Sequence, residues 1–177
     1  MRKPYSLIIQ TYTIKTHIYS NCSYLLLSNC KGKQPETATH IPLKPSQHRV
    51  VDASHLFSNS QRDALIKKIS QYESETTNQI AILTIDTLPP HTSAQSFGTN
   101  IGNSWGIGTK EKDNGLVITI SKSDKAVAIS TGIGTQQTIS DYECKIIIDQ
   151  LMIPHFKTKN YYKGVDKTID SLILLWD

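Results

Sequence analysis

The chain has 177 residues, 38% of them hydrophobic, and a formal net charge of +4; this allows one ordinary domain plus an appendage, with the core concentrated in part of the chain. Residues 1–29 carry Arg2, Lys3 and Lys15 and no acid, and taking these three from the 19 basic residues leaves 16 against 15 acidic ones. The basic balance belongs to the leader and gives no argument for nucleic acid.

The N-terminus combines a Met1-Arg2-Lys3 start with apolar Leu7-Ile8-Ile9 and a later Tyr24-Leu25-Leu26-Leu27 run. A basic start followed by apolar residues and a small-residue site is an export signature. Leu26-Leu27-Ser28-Asn29-Cys30 resembles a bacterial lipoprotein box, in which Cys30 becomes the lipidated first residue. Asn29 departs from the small residue usual there, and Lys15, His17 and Asn21 interrupt the apolar region. Residues 1–30 are read as an export and lipoprotein-type signal, the alternatives being a poorly ordered N-terminal tail or an upstream start that is not used. No stretch approaches the roughly 18 uninterrupted apolar residues of a membrane span. Residues 31–49, with Pro35, Pro42 and Pro45 and no apolar period, read as a semi-extended linker.

The domain, residues 50–177, begins at Val50-Val51-Asp52. Ser58 and Gln61 form a capping-box pattern ahead of Leu65, Ile69 and Tyr72, which predicts a helix from about Ser60 to Glu75. Gln79 to Ile85 is apolar on both alternating faces, Ile80 and Ile82 on one and Ala81, Leu83 and Ile85 on the other, so it reads as a strand covered on both sides. After Pro89-Pro90, Ser93 starts a second helix carrying Ala94, Phe97, Ile101 and Trp105, with Gly98 and Gly102 on one face for close packing. Leu116–Ile120 and Ala126–Ser130 are strands joined by a connection short enough to force an antiparallel hairpin. Ser140 or Asp141 caps a third helix that should reach Met152 and stop before Pro154. Val165, Ile169, Leu172 and Trp176 mark a last amphipathic helix. Together these predict an α/β fold, a three-layer α/β/α sandwich around a small mixed sheet containing that hairpin.

The antiparallel hairpin brings Asp113-Asn114-Gly115 and Gly132-Ile133-Gly134 to one sheet edge. Asp86 joins them if its strand runs parallel to Ala126–Ser130, and Asp141 follows shortly after the second turn. Converging carboxylates repel by about 4 kcal/mol at ~4 Å and an effective dielectric near 20; calcium or magnesium would relieve this. The competing reading is plain turn and cap chemistry, with Asp bonding nearby backbone and Gly taking unusual φ. A dinucleotide motif fails for want of a third glycine and a βαβ context. The six histidines are scattered, and His55 and His155 read as surface or packing residues. The three cysteines have no metal-ligand spacing, and Cys144 beside Ile146-Ile147-Ile148 reads as a buried helical thiol.

Several segments occur in the order found in a known family: Val50-Val51-Asp52, Gln71-Tyr72-Glu73, Asn78-Gln79-Ile80-Ala81, Trp105-Gly106-Ile107-Gly108, Asp113-Asn114-Gly115-Leu116, Gly132 and Gly134 with Ser140-Asp141, and Ile153-Pro154 with Phe156-Lys157, Tyr161 and Gly164. From Val50 to Leu172 the chain resembles the TPM domain, named for plant thylakoid, cyanobacterial photosystem-repair and nematode receptor-associated members. The resemblance implies an α/β/α domain displayed outside the cytoplasm, divalent-cation binding, acid phosphatase activity as in a plant member, or support of membrane complexes. Many bacterial relatives have a signal peptide and a C-terminal membrane helix; here the expected tether is N-terminal. Asp52, Asp113, Asn114 and Asp141 match the family pattern. Ile133, Thr135, Gln136 and Gln137 replace its tyrosine, leucine, glutamate and glycine, and Gln136 loses the charge that would serve a cation.

The resulting expectation is a non-catalytic, lipid-anchored envelope module, with Cys30 lipidated and other envelope or membrane proteins as partners. Calcium or magnesium is the expected ion, at Asp113, Asn114, Asp86, Asp141 and Asp52. The alternative is a divalent-cation-dependent acid phosphatase-like hydrolase.

Overall fold

The computed structural model describes Pro42 and residues 49–176. The export-type segment 1–30 with its Cys30, the rest of the linker and Asp177 lie outside the described residues.

The sheet has four strands in the order β1 (Val50–Asp52), β2 (Gln79–Ile85), β3 (Gly115–Ser121) and β4 (Ala126–Thr131). β1, β2 and β3 run parallel, with Ile80 beside Leu116 and Val50 beside Ile82, while β4 runs antiparallel to β3 with Val117 beside Ser130. The chain is therefore an α/β protein with a mixed sheet, as its sequence predicts. Val50–Asp52, read from sequence only as the domain's first residues, is an edge strand.

Period-two alternation sends the two faces of β2 and β3 into different cores. Ile80, Ile82, Leu116 and Ile118 pack with Leu65, Ile69 and Tyr72 of α1 (Asn59–Thr76) and with Val165, Ile169 and Leu172 of α5 (Tyr161–Trp176). Ala81, Leu83, Ile85 and Val117 pack with Phe97, Ile101 and Trp105 of α2 (Ala94–Trp105) on the other face. Each large side chain so buried contributes about 2 kcal/mol. The crossovers β1–α1–β2 and β2–α2–β3 step the same way along the sheet but place their helices on opposite faces. They must have opposite hands, so one departs from the usual right-handed connection.

Helix α1 starts where the sequence places it. Ser58 Oγ accepts from Gln61 N at 3.2 Å, and Gln61 Oε1 accepts from Ser58 N at 2.9 Å. Lys68 Nζ ties α1 to α5 through Asp166 at 2.5 Å and Asp170 at 2.6 Å. Helix α2 lies close to the sheet because Gly98 has no side chain: a Cβ there would sit 2.6 Å from both Ser130 Oγ and Thr119 Oγ1.

The helix after Ser140 does not stop before Pro154. It runs as α3 (Asp141–Ile147), a π-helical segment (Ile148–Met152) and α4 (Ile153–Lys157). Proline lacks the N–H that a regular turn needs and crowds the turn before it. Widening that turn, with Ile153 N–H reaching Ile148 C=O, carries the helix through the proline. Among the described residues no helix is long and apolar enough to cross a membrane.

Candidate functional site

The two glycine turns meet at one sheet edge, as the hairpin requires, but they meet backbone to backbone. Gly132 N–H donates to Gly115 C=O at 2.8 Å, and the buried Thr135 hydroxyl donates to the same oxygen at 2.9 Å. A Cβ on Gly134 would lie 1.7 Å from Lys112 O, one on Gly132 2.2 Å from Asp113 O, and one on Gly115 2.3 Å from Ile107 O. The space that side chains would fill is occupied by carbonyl groups of the neighbouring loop. The Thr135 hydroxyl is one of the pins.

Asn114 is the second pin. It is 5% exposed, its Oδ1 accepts from Thr109 N at 2.9 Å, and its Nδ2 donates to Thr77 O and Asn78 Oδ1, each at 3.0 Å. Thr77 ends α1 at φ 70, a left-handed conformation that costs a β-branched residue on the order of 1–2 kcal/mol. The Asn114 amide and Lys112 Nζ, 3.0 Å from Thr77 Oγ1, hold it there. Gln79 Oε1 accepts from Gly108 N at 2.7 Å and draws in the third loop.

The five residues expected to share a cation are not brought together. Asp113 is exposed at the glycine edge with no hydrogen bond to its carboxylate among the described residues, and Asn114 beside it is committed to the loops. Asp86 does not join them. Its strand β2 is parallel to β3, hence antiparallel to β4, which puts Asp86 at the opposite end of the sheet, where its C=O accepts from Ser123 N at 2.8 Å. Asp52 also lies at that far end, accepting from Leu56 N and Phe57 N at 2.9 Å and from Thr84 Oγ1 at 2.5 Å. Asp141 is the exposed first residue of α3, behind its cap Ser140. Among the described residues no three His, Cys, Asp or Glu side chains are grouped to hold a metal ion. The set does not fit one shared cation.

Asp124 is a clamp that sequence reasoning missed. Its Oδ2 accepts from Leu88 N and Ser121 Oγ, both at 2.7 Å, and these bonds hold the carboxyl below the ordinary aspartate value. The signal was the serine three residues before an aspartate in a turn between strands.

Among the described residues, the outer edge of β4 is open. A groove of about 670 Å³ runs along Lys125–Ile129, walled by Ser93–Gln95 at the start of α2 and by Cys144, Ile148 and Ile153 on the α3–α4 side. Gly132 and Gly115 form a hydrogen-bonded pair, so the alternation of an antiparallel ladder turns the N–H and C=O of Val127 and Ile129 away from β3. None of these four groups has a partner among the described residues. Ile129 is only 4% exposed, and a buried backbone group left unbonded costs about 1–3 kcal/mol. Burial, then the nearby Asp141 and Glu143, push the Cys144 thiol up to about 11, so it is an apolar wall rather than a nucleophile. His55 and His155 lie outside this groove; His55 is exposed.

The model of the TPM domain family matches residues 50–174. Among solved structures, the chain is similar to the N-terminal domain of a protein from P. gingivalis, with TM-score 0.67 and 25% identity over 75% of this chain and 83% of that one. It is also similar to the BA42 protein of the psychrophilic bacterium Bizionia argentinensis (TM-score 0.59, 17% identity, 68% of this chain and 81% of that one). The N-terminal domain of cg2496 protein from Corynebacterium glutamicum matches with TM-score 0.58 and 13% identity over 88% of each chain. The last two likenesses, at such identity, speak for the fold. No curated protein matches the chain.

Proposed function

The chain belongs to the TPM domain family, and from that premise we propose that it is an envelope-anchored interaction module. A lipid on Cys30 holds it outside the cytoplasm, and its domain binds other envelope or membrane proteins. The observation that supports this reading most is the groove along β4, which joins apolar walls to unbonded backbone groups. The interlocked glycine edge gives that surface a stiff frame. Acyl chains contribute about 0.8 kcal/mol per buried CH₂, and stable anchoring takes more than one chain.

Both halves of the reading are open to experiment in intact cells. The wild-type protein is expected in the membrane fraction and Cys30→Ser in the soluble one; equal fractionation of the two overturns the anchor. A photo-crosslinking residue at Val127 should give protein adducts, and one at exposed Ser70 on α1 should not. Adducts from neither position overturn the module. A cation-dependent phosphatase draws less support, because Asp113 is the one free carboxylate of the expected set at the glycine edge. Calcium or magnesium that shifted the Asp113 and Gly132 amides and supported phosphate-ester turnover would displace the module reading.

A further inference from the structure

We infer that the groove along β4 receives an acidic peptide in extended conformation, which pairs with Val127 and Ile129 as a fifth strand and sets a carboxylate against Lys125. The inference rests on the reading of the domain as an interaction module and names the chemistry of its partner.

Three observations select this occupant. The unbonded N–H and C=O groups recur every second residue, at Val127 and Ile129, which is the spacing that an extended backbone satisfies and a helix does not. The walls lie on either side of that edge, α2 on one face of the sheet and the α3–α4 segment on the other. Alternate side chains of an added strand would meet Ala94 and Gln95 on one side and Ile148 and Ile153 on the other. Charge then chooses among peptides. Of the lining lysines, Lys145 is bound to Asp149, while Lys125 has no ion pair among the described residues. The first turn of α2 adds the positive end of a 12-residue helix to the same groove. Asp141 is the lining carboxylate that opposes this balance.

The test uses the full-length protein and a capped heptapeptide of alternating valine and threonine with glutamate at each end, at millimolar concentration. Amide exchange at Val127 and Ile129 is expected to slow about tenfold or more. A matched peptide with lysine at each end should bind about fivefold more weakly, and Lys125→Glu should remove that preference. Val127→Pro deletes one outward N–H and leaves the β3–β4 ladder its bonds; with its amide spectrum otherwise preserved, it should abolish the protection. Unchanged exchange at both amides overturns the inference, as does equal affinity for the two peptides. Concentration-dependent dimerisation that protects the same amides without peptide also overturns it, by making a second copy the occupant. In cells, adducts captured from Ser93 in the Val127→Pro variant as well as in wild type would end the strand-pairing inference and leave the module standing. Absence of adducts from both Val127 and Ser93 in wild type would end both.

Discussion

The glycine edge and the outer edge of β4 belong to the same hairpin and are built in opposite ways. At the glycine edge, backbone meets backbone: Gly132, Gly134 and Gly115 admit the carbonyls of Asp113, Lys112 and Ile107, and Asn114 closes the remaining bonds. Along β4, backbone groups at Val127 and Ile129 are left open beside apolar walls. A glycine-rich, Asp-Asn-bearing loop looks like a ligand site in sequence, yet here backbone contacts close it. Backbone groups without partners among the described residues lie instead along β4, a strand with no glycine.

The comparison breaks first at Gly134. Gly134→Ala drives a methyl group into Lys112 C=O, with no flexible side chain to yield, and is expected to cost about 3 kcal/mol or more in chemical denaturation. Gly106→Ala is the control. It has nothing within 4 Å of the new methyl and only its φ of 61 to strain, so about 1–2 kcal/mol is expected. Equal losses at both positions would mean that the loops are not interlocked.

Asn114→Ala comes next. It leaves Thr109 N and Thr77 O without their partner and releases the left-handed Thr77, for an expected loss of about 2–3 kcal/mol. Asn114→Asp keeps an acceptor for Thr109 but cannot donate to Thr77, so it should fall nearly as far; a variant as stable as wild type would show that the amide pins nothing.

Acid reads out the turn between the two edges. The Leu88 N–H, and after it the Ser121 hydroxyl, hold the Asp124 carboxyl below its ordinary value. A group whose pKa is depressed by folding stabilises above its unfolded value, near 4, and that stability is lost as pH falls through the folded value. Urea denaturation between pH 7 and pH 3 should therefore show a weaker pH dependence for Asp124→Asn than for wild type. Identical slopes would leave Asp124 without a clamping role.

The smallest effect belongs to the open edge. Lys125→Ala removes an exposed lysine without an ion pair among the described residues and should change stability by no more than about 0.5 kcal/mol. A larger loss would mean that Lys125 supports the fold rather than awaiting a partner.

Much of this was legible in the chain. The capping box at Ser58 and Gln61, the two-faced strand Gln79–Ile85 and the stripe Val165, Ile169, Leu172 and Trp176 follow from hydrogen-bonding and periodicity rules that act within a few residues. The strand nature of Val50–Asp52 was hidden, because three residues have too little period to read and their pairing to Ile82–Thr84 is distant. Helix passage through Pro154 was also hidden, since a π turn leaves no mark in residue type. The site was least legible. Asp86 could be placed only once the direction of β2 against β4 was known.

The sequence by itself determined the elements, the two faces of the central strands, the hairpin that joins Asp113 to Gly132, and membership of a family. It could do so because capping, alternation and short turns are local and leave fixed spacings. Only the tertiary structure decided that the glycines serve close backbone contact, that Asp52 and Asp86 lie far from Asp113, and that β4 is an edge with unbonded groups. Those facts depend on which strands are neighbours and which way they run, and no local spacing encodes either.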